Sequence, residues 1–493
     1  MKRIPLVTVT TCILLCCSHA LALDIASTMA GTLSQKNISA TESSLKVSGP
    51  VNAADLYYIG DRLGGLDVLD LSEAVIEAYA GPMLHRSETY AEGVIPPLAF
   101  SGLSAGRVVL PAGQRLTIAD GAFAGSGIRS IDLTQVDSAG YGAFATCTSL
   151  TEVTLTTARV GKDAFKGCTA LARADVSGLR SIPAGAFAGC TSLSEVSGTA
   201  GIGAVGDAAF QGCTSLREYD FGDAVSEIGA RAFEFSGLSS ADLSGAKSLR
   251  SIGERAFASC PALASARLPY SVTAIGDGAF FEDAALTEIN LPSRITALPE
   301  RVFKGARNLV EIHLTEDIAT IGKFAMKDVT KVRTLRMPAA LDSLGDFAME
   351  GMTGLEAINA HALTAVPATG TDVWRGVDQP AVTLHVTPGY AEMFRNAGQW
   401  ADFTFDESGA DKVLADSDAT LDARFEGNDL IVECTGHDIE SLSLYDLSGR
   451  LLAALRPAAQ TVTIPTGDFD GSIFVLTAGL TDGRRASLKT VRK

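Results

Sequence analysis

Leu263-Ala264-Ser265-Ala266-Arg267-Leu268-Pro269-Tyr270-Ser271-Val272-Thr273-Ala274-Ile275-Gly276-Asp277-Gly278-Ala279-Phe280 holds one period of the pattern that organises this chain. Counting outward from Phe280, phenylalanine recurs at Phe100, Phe123, Phe144, Phe165, Phe187, Phe210, Phe233, Phe257 and Phe303, and Met326, Met349 and Trp374 continue the series. Eleven steps span the 249 positions from Phe100 to Met349, a mean of about 22.6, and spacing that regular is the mark of a solenoid built from one repeated coil.

Four positions before the aromatic stands a second constant: Gly140, Gly161, Pro183, Gly206, Gly229, Gly253, Gly276, Pro299, Gly322 and Gly345. A slot that accepts both glycine and proline predicts a tight corner at negative φ, with a backbone N–H that needs no partner. The residue before it is usually branched and apolar, as in Ile182, Val205, Ile228, Ile252, Ile275 and Ile321, which predicts a buried anchor. After each aromatic comes L-x-x-[LIV]-x-L, seen in Leu150-Val153-Leu155, Leu286-Ile289-Leu291 and Leu309-Ile312-Leu314. Its alternation fits a short strand with one face buried, ended at Pro111, Pro269, Pro292 and Pro338 by a residue that cannot donate to the next ladder bond. A single coil cannot bury its own phenylalanine; coils stacked at the strand spacing of about 4.8 Å cover each ring with its neighbours.

The run Leu286 to Pro292, Leu298 in the anchor slot, Val302-Phe303, and Ile228-Gly229-x-x-Ala232-Phe233 resemble the BspA-like leucine-rich repeats of bacterial surface proteins. The resemblance covers residues 98–405. It implies a β-rich leucine-rich repeat solenoid of about 12–13 coils of 21–25 residues with a concave parallel sheet. Residues 23–97, with Leu45 to Gly49, Ala53 to Leu56 and Leu66 to Leu71, read as an N-terminal cap of irregular repeats. At the other end, Val382 to Pro388 with Tyr390, Phe394, Trp400 and Phe403 predicts a last strand and a short amphipathic helix sealing the final coil.

Past an acidic linker over 406–418 the phenylalanine interval stops. Short strands at Leu430 to Val432, Leu442 to Tyr445, Val462 to Ile464 and Ile473 to Leu476, and a basic last strand ending at Lys493, predict a small β-sandwich over 419–493. Within it Tyr445-Asp446-Leu447-Ser448-Gly449-Arg450 resembles the sorting domain of type IX secretion cargo in Bacteroidota, although Gly471-Ser472-Ile473-Phe474 departs from the later motif of such domains. That resemblance implies the secretion machinery as a partner of the C-terminal domain.

Residues 1–22 read as a secretory signal: Lys2 and Arg3, an apolar run through Cys17, then Ala20-Leu21-Ala22. Thr11, Leu15 and Cys16, which precede the cysteines of this run, do not fit a lipid-attachment box, so cleavage is expected to leave no membrane-spanning segment. The formal charge of −17, more negative still once Lys2 and Arg3 are gone, repels nucleic acid. Cys147, Cys168, Cys190, Cys213 and Cys260 sit three positions after the aromatic, a slot that elsewhere holds Ser126, Ser236, Ala306 and Val329. The pattern selects a small buried side chain and predicts free packed thiols, with no metal and no cofactor.

Three motifs are set aside. Gly201 to Gly206 spells a dinucleotide fingerprint but ends in an ordinary anchor and corner; Gly102 to Gly106 spells a nucleophile elbow without its strand-turn-helix setting; Asn37-Ile38-Ser39 is a glycosylation acceptor that a bacterial signal makes irrelevant. None of the six histidines has metal-ligand spacing, and no catalytic residue is assigned. The wet positions of the concave strands remain as the candidate ligand-binding face: Asp132, Glu152, Asp175, Glu195, Glu218, Asp220 and Asp242, then Arg267, Asn290, His313 and Arg336. A ribbon acidic at one end and basic at the other suits electrostatic steering of a protein on a host or neighbouring cell surface. A glycan-binding accessory role and a structural part in an envelope assembly are the alternatives.

Overall fold

The computed structural model describes residues 22–83, 86–155, 159–408, 421–426, 429–434, 438–446, 451–455, 459–466, 473–480 and 485–491. The segment expected as a signal, most of the linker, Leu447 to Arg450 and Gly471-Ser472 fall outside them.

From Phe100 to Trp374 every residue of the aromatic series is buried. Successive rings from Phe123 to Phe303 stack face to face with centroids 5.2–6.0 Å apart, one ring per coil. Burying one such side chain contributes roughly 1.5–3 kcal/mol, so the column is the dominant cohesive term of the array. Each ring sits on a turn that hydrogen-bonds to the coil after it. Phe233 N–H donates to Ala256 C=O at 2.8 Å, Phe257 N–H to Ala279 C=O at 2.9 Å, and the residues two before and two after the ring do the same. Those flanking residues have positive φ in coil after coil, whether glycine (Gly278, Gly212) or not (Arg231 at 57°, Phe324 at 57°, Ser259 at 57°), and so aim alternate N–H groups at one neighbour.

Two further ladders complete the coil. The L-x-x-[LIV]-x-L segments form parallel strands, for example Glu152–Thr154, Arg173–Asp175 and Glu195–Ser197, and again Ser240–Asp242, Ser265–Arg267 and Glu288–Asn290. The anchors form a second parallel sheet that the sequence reading treats only as a buried column: Ser181–Ile182, Ala204–Val205, Glu227–Ile228, Ser251–Ile252 and Ala274–Ile275 pair in order. The solenoid therefore has three bonded sides. It also runs to about 16 turns, more than 12–13, because the N-terminal region adds coils of its own.

The corner slot does lie at negative φ, but its N–H is not free. Gly140, Gly206 and Gly253 donate to the anchor carbonyls of the preceding coil, Ile118, Ile182 and Ile228, at 2.8, 2.8 and 2.9 Å. Glycine is required by proximity: a Cβ on Gly253 would stand 2.4 Å from the Gly229 carbonyl carbon. Where proline takes the slot the donor is lost, and the anchor sheet is interrupted before Ser181–Ile182, next to Pro183, and before Ala297–Leu298, next to Pro299.

At the N-terminal end Leu23–Ala26, Ser44–Val51, Val68–Ile76 and Arg107–Val109 make one parallel sheet. The helix Ala53–Arg62 beside it begins with a capping box between Asn52 and Asp55. At the other end the last strand is Thr404–Asp406, which pairs with Thr383–His385 after the helix Ala391–Arg395 has passed over the core. Asp406, read as the start of the linker, thus closes the stack. Trp400 is buried there, with its Nε1–H donating to Pro367 C=O and its ring edge-on to Trp374. The described residues between 421 and 491 form two antiparallel sheets, one of three strands and one of four, sharing a separate core of Leu430, Val432, Leu442, Leu444, Val462, Ile464, Phe474 and Leu476.

Phe257→Ala is expected to lower unfolding free energy by about 3–5 kcal/mol in urea titrations. Gly253→Ala should also destabilise, whereas Gly201→Ala, which has open space around it, should be close to neutral.

Candidate functional site: the strand face

Every strand-side coil offers two wet positions around one buried residue, so the candidate residues separate into two columns. Glu152, Glu195 and Glu218 precede the buried residue, in line with Arg173 and Glu288; Asp132, Asp175, Asp220, Asp242, Arg267, Asn290, His313 and Arg336 follow it. The sequence reading merges these columns into one ribbon, because alternation alone does not say on which side of the buried position a residue lies. Asp175 is half-buried and the other ten are exposed. The second column continues through Asn359, His385 and Asp406, positions the reading stops short of although the same register marks them.

The charges are partly spent within the face. Arg173 bonds Glu152 of the previous coil at 2.5 Å, Arg336 bonds Glu316 at 2.8 Å, and His313 lies 2.8 Å from Glu311. The aspartates of the second column also close their own strands: Asp132, Asp175, Asp220 and Asp242 each accept the N–H two residues on, from Thr134, Ser177, Gly222 and Ser244 at 2.9–3.0 Å. Burial opposes ionisation of Asp242, yet the hydrogen bonds from Ser244 and the nearby Arg267 hold its carboxyl below the usual aspartate range. Asparagine performs the same turn closure at Asn359.

One coil departs from the rest. Leu216 to Phe221 places Tyr219 and Phe221 where aliphatic residues stand elsewhere, and both rings pack edge-on against Phe233. The strand ladder is interrupted at this coil. Over it lies an open depression of about 350 Å³ lined by Asp220, Asp223, Asp242, Ser244, Gly222 and Gly245. Asp220, Asp223 and Asp242 place three carboxylates around this one open recess.

The remaining chemistry is structural. Ser104 of the elbow-like motif donates its hydroxyl to the carbonyls of Gly64 and Leu66, and Gly201 to Gly206 runs from a 3-10 turn into the strand Ala204–Val205. Each column thiol donates to the carbonyl of the aromatic of the preceding coil, as Cys190 to Phe165 and Cys260 to Phe233, both at 3.1 Å. Ser126 and Ser236 in the same slot lie 3.3 Å from the sulfurs of Cys147 and Cys260, and Ala306 and Val329 show that the slot does not require a donor. Burial pushes the Cys190 and Cys260 thiols up to about 12. One residue of that slot escapes the sequence reading: Asp283, buried and bonded through Oδ1 to Cys260 N–H at 2.7 Å. Among the described residues, no group of three or more histidine, cysteine or carboxylate side chains is arranged to hold a metal, and no helix is long and apolar enough to cross a membrane.

Repeats of this form are matched by the model of the BspA type leucine rich repeat region, in six copies over residues 93–194, 180–309 and 273–366, more than half the chain. The chain belongs to the BspA-type leucine-rich repeat family. Among solved structures, a leucine-rich repeat protein from Bacteroides ovatus is 20% identical, with a TM-score of 0.56 over 74% of this chain and 88% of that one. A leucine rich cell surface protein from Faecalibacterium prausnitzii is 23% identical, with a TM-score of 0.32 over 57% of this chain and 86% of that one. Only the first superposes well enough to bear on the BspA-type fold. No curated protein matches the chain.

Asp220→Asn with Asp242→Asn should keep the fold of this BspA-type array by circular dichroism, since asparagine can accept the same N–H groups, with only a small drop in thermal midpoint from the lost charge. Asp242→Ala should lower the midpoint near neutral pH. Because the folded carboxyl ionises more readily than the unfolded one, the difference should shrink as pH falls through the folded-state pKa.

Proposed function

We propose that this chain is an exported, surface-associated repeat scaffold that binds a protein partner through its strand face and carries out no catalysis. A protein-interaction scaffold is what the repeat family suggests. The observation that carries the finer reading is the acidic recess of Asp220, Asp223 and Asp242, in which the Asp220 and Asp242 carboxylates are held in place by the N–H groups of Gly222 and Ser244. Side chains ordered before association lose little entropy on binding, and clustered carboxylates favour a lysine- or arginine-bearing surface.

Export rests on the basic-then-apolar pattern of residues 1–22 and on the likeness of the C-terminal β-sandwich to a sorting domain, of which Tyr445 and Asp446 stand in the strand Ile439–Asp446. Surface association rests on the same features together with the family. A glycan partner finds less support: Phe281, Phe324 and Phe347 lie on the turn side with their faces taken up by Arg255, by Lys304 and by one another.

The test is retention of host matrix proteins and of bacterial envelope extracts on the immobilised array, combined with protease shaving of intact cells. Retention should weaken steeply with salt and fall at least tenfold in the Asp220→Asn, Asp242→Asn variant. Retention unaffected by that variant would remove the strand-face reading, and retention of envelope components alone would favour a part in an assembly over adhesion.

A further inference from the structure

The stack is unevenly bonded. At the boundary between the Phe257 and Phe280 coils both parallel ladders are intact: Ser265–Arg267 pairs with Glu288–Asn290, and Ser251–Ile252 pairs with Ala274–Ile275. At the next boundary, between Phe280 and Phe303, neither is. The anchor sheet stops at Ala274–Ile275 and restarts at Ala297–Leu298, beside Pro299, while the strand sheet stops at Glu288–Asn290 and restarts at Thr334–Arg336. From Phe100 to Trp374 this is the one boundary among the described coils where both ladders are interrupted together. The ring pair there is also the widest of the stacked series, 6.0 Å at 22°. What joins the two coils is chiefly the turn side, through Gly278, Phe280 and Glu282 N–H to the carbonyls of Glu300, Val302 and Lys304 at 2.8, 3.1 and 2.7 Å. A 2.8 Å bond from Asn308 to the Ala284 carbonyl, a 3.1 Å bond from Glu300 N–H to Asp277 Oδ1 and a long strand-side bond of 3.4 Å from Val310 N–H to Thr287 C=O add to these.

Asp283 belongs to the Phe280 coil, on one side of this boundary, in a slot that other coils give to cysteine, serine or an apolar residue. It is fully buried; Oδ1 accepts the Cys260 N–H, and Oδ2 has no partner among the described residues. The titratable groups around it are Cys260 in the coil before, with Glu234 and Arg255 nearby, and Glu282 beside it; the coil after contributes Ala306 to the slot, flanked by Lys304 and Arg307. A carboxyl so enclosed is favoured in its neutral form, burial raising its pKa against the opposing Cys260 bond.

We propose that the boundary between the Phe280 and Phe303 coils is a seam at which the array opens locally as pH rises, with the buried Asp283 carboxyl as the group that drives the opening. Ionised, Asp283 has an unpartnered charge inside the core, and the least-bonded interface of the stack is the one that yields to hydrate it. The sign follows from linkage. A carboxyl harder to ionise folded than unfolded contributes its stability fully below the unfolded pKa and loses it as pH rises toward the folded pKa.

The buried thiols provide the readout in the full chain. Cys260, whose N–H is held by Asp283, lies in the coil next to the Phe280 coil, and Cys190 lies three coils further off. Burial raises both to about 12, so their labelling ratio cancels the ordinary effect of pH on thiol reactivity. With iodoacetamide and peptide mass spectrometry, the Cys260 to Cys190 labelling ratio should rise at least about fivefold between pH 6 and pH 9. It should stay flat in Asp283→Ser and in Asp283→Asn, and both variants should show a higher thermal midpoint than the parent at pH 9. A ratio that does not change with pH in the parent chain, or one that rises equally in both variants, overturns the proposal.

Discussion

The coil-to-coil contact of the buried ring is the constraint on which the structure depends. A phenylalanine on a short turn has no local core to enter; its faces are covered only when another turn of backbone, carrying another ring, lies against each side. That requirement fixes the spacing of the coils, and the spacing in turn brings backbone N–H and C=O groups of neighbouring turns within bonding distance on three sides. Hydrophobic burial and hydrogen bonding therefore reinforce one another along a single direction. The close approach also explains the glycine corner, since an added Cβ would meet the backbone of the coil before.

A stack held this way is stabilised by sums of nearest-neighbour terms, so its weak points are boundaries and not residues scattered through a globule. Proline at 183 and 299 removes one ladder bond each, and only at the second does the strand ladder fail as well. The aromatic coil around Tyr219 interrupts the strand ladder alone, and there the surface opens into the acidic recess. Departures from the repeat, more than the repeat itself, distinguish one coil from another and supply the places where this array can do something specific.

The strand face combines two duties in the same side chains. An aspartate that accepts the N–H two residues on ends its strand, and its second oxygen stays available at the surface. Asn359 shows that the first duty needs no charge, so the concentration of carboxylates around Asp220 to Asp242 goes beyond what turn closure demands. Several neighbouring charges are already neutralised by Arg173, Arg336 and their partners, which leaves the recess as the least compensated stretch.

The interval of the phenylalanines was enough to establish a solenoid, its approximate extent and the identity of its core, because a buried column must repeat in sequence whenever the coil has constant length. Alternation likewise marked Asp132 through Arg336 as wet. Sequence could not separate those residues into two columns, since that depends on which side of a buried neighbour each one falls. Nor could it foresee that the anchors pair as a second sheet or that the corner N–H is bonded, because both depend on atoms about twenty-three residues away meeting across a coil boundary. Asp283 shows the division most sharply: its slot was legible from the register, but its enclosure in the coil that borders the one boundary lacking both ladders among the described coils is a property of the stack, decided by how neighbouring backbones meet.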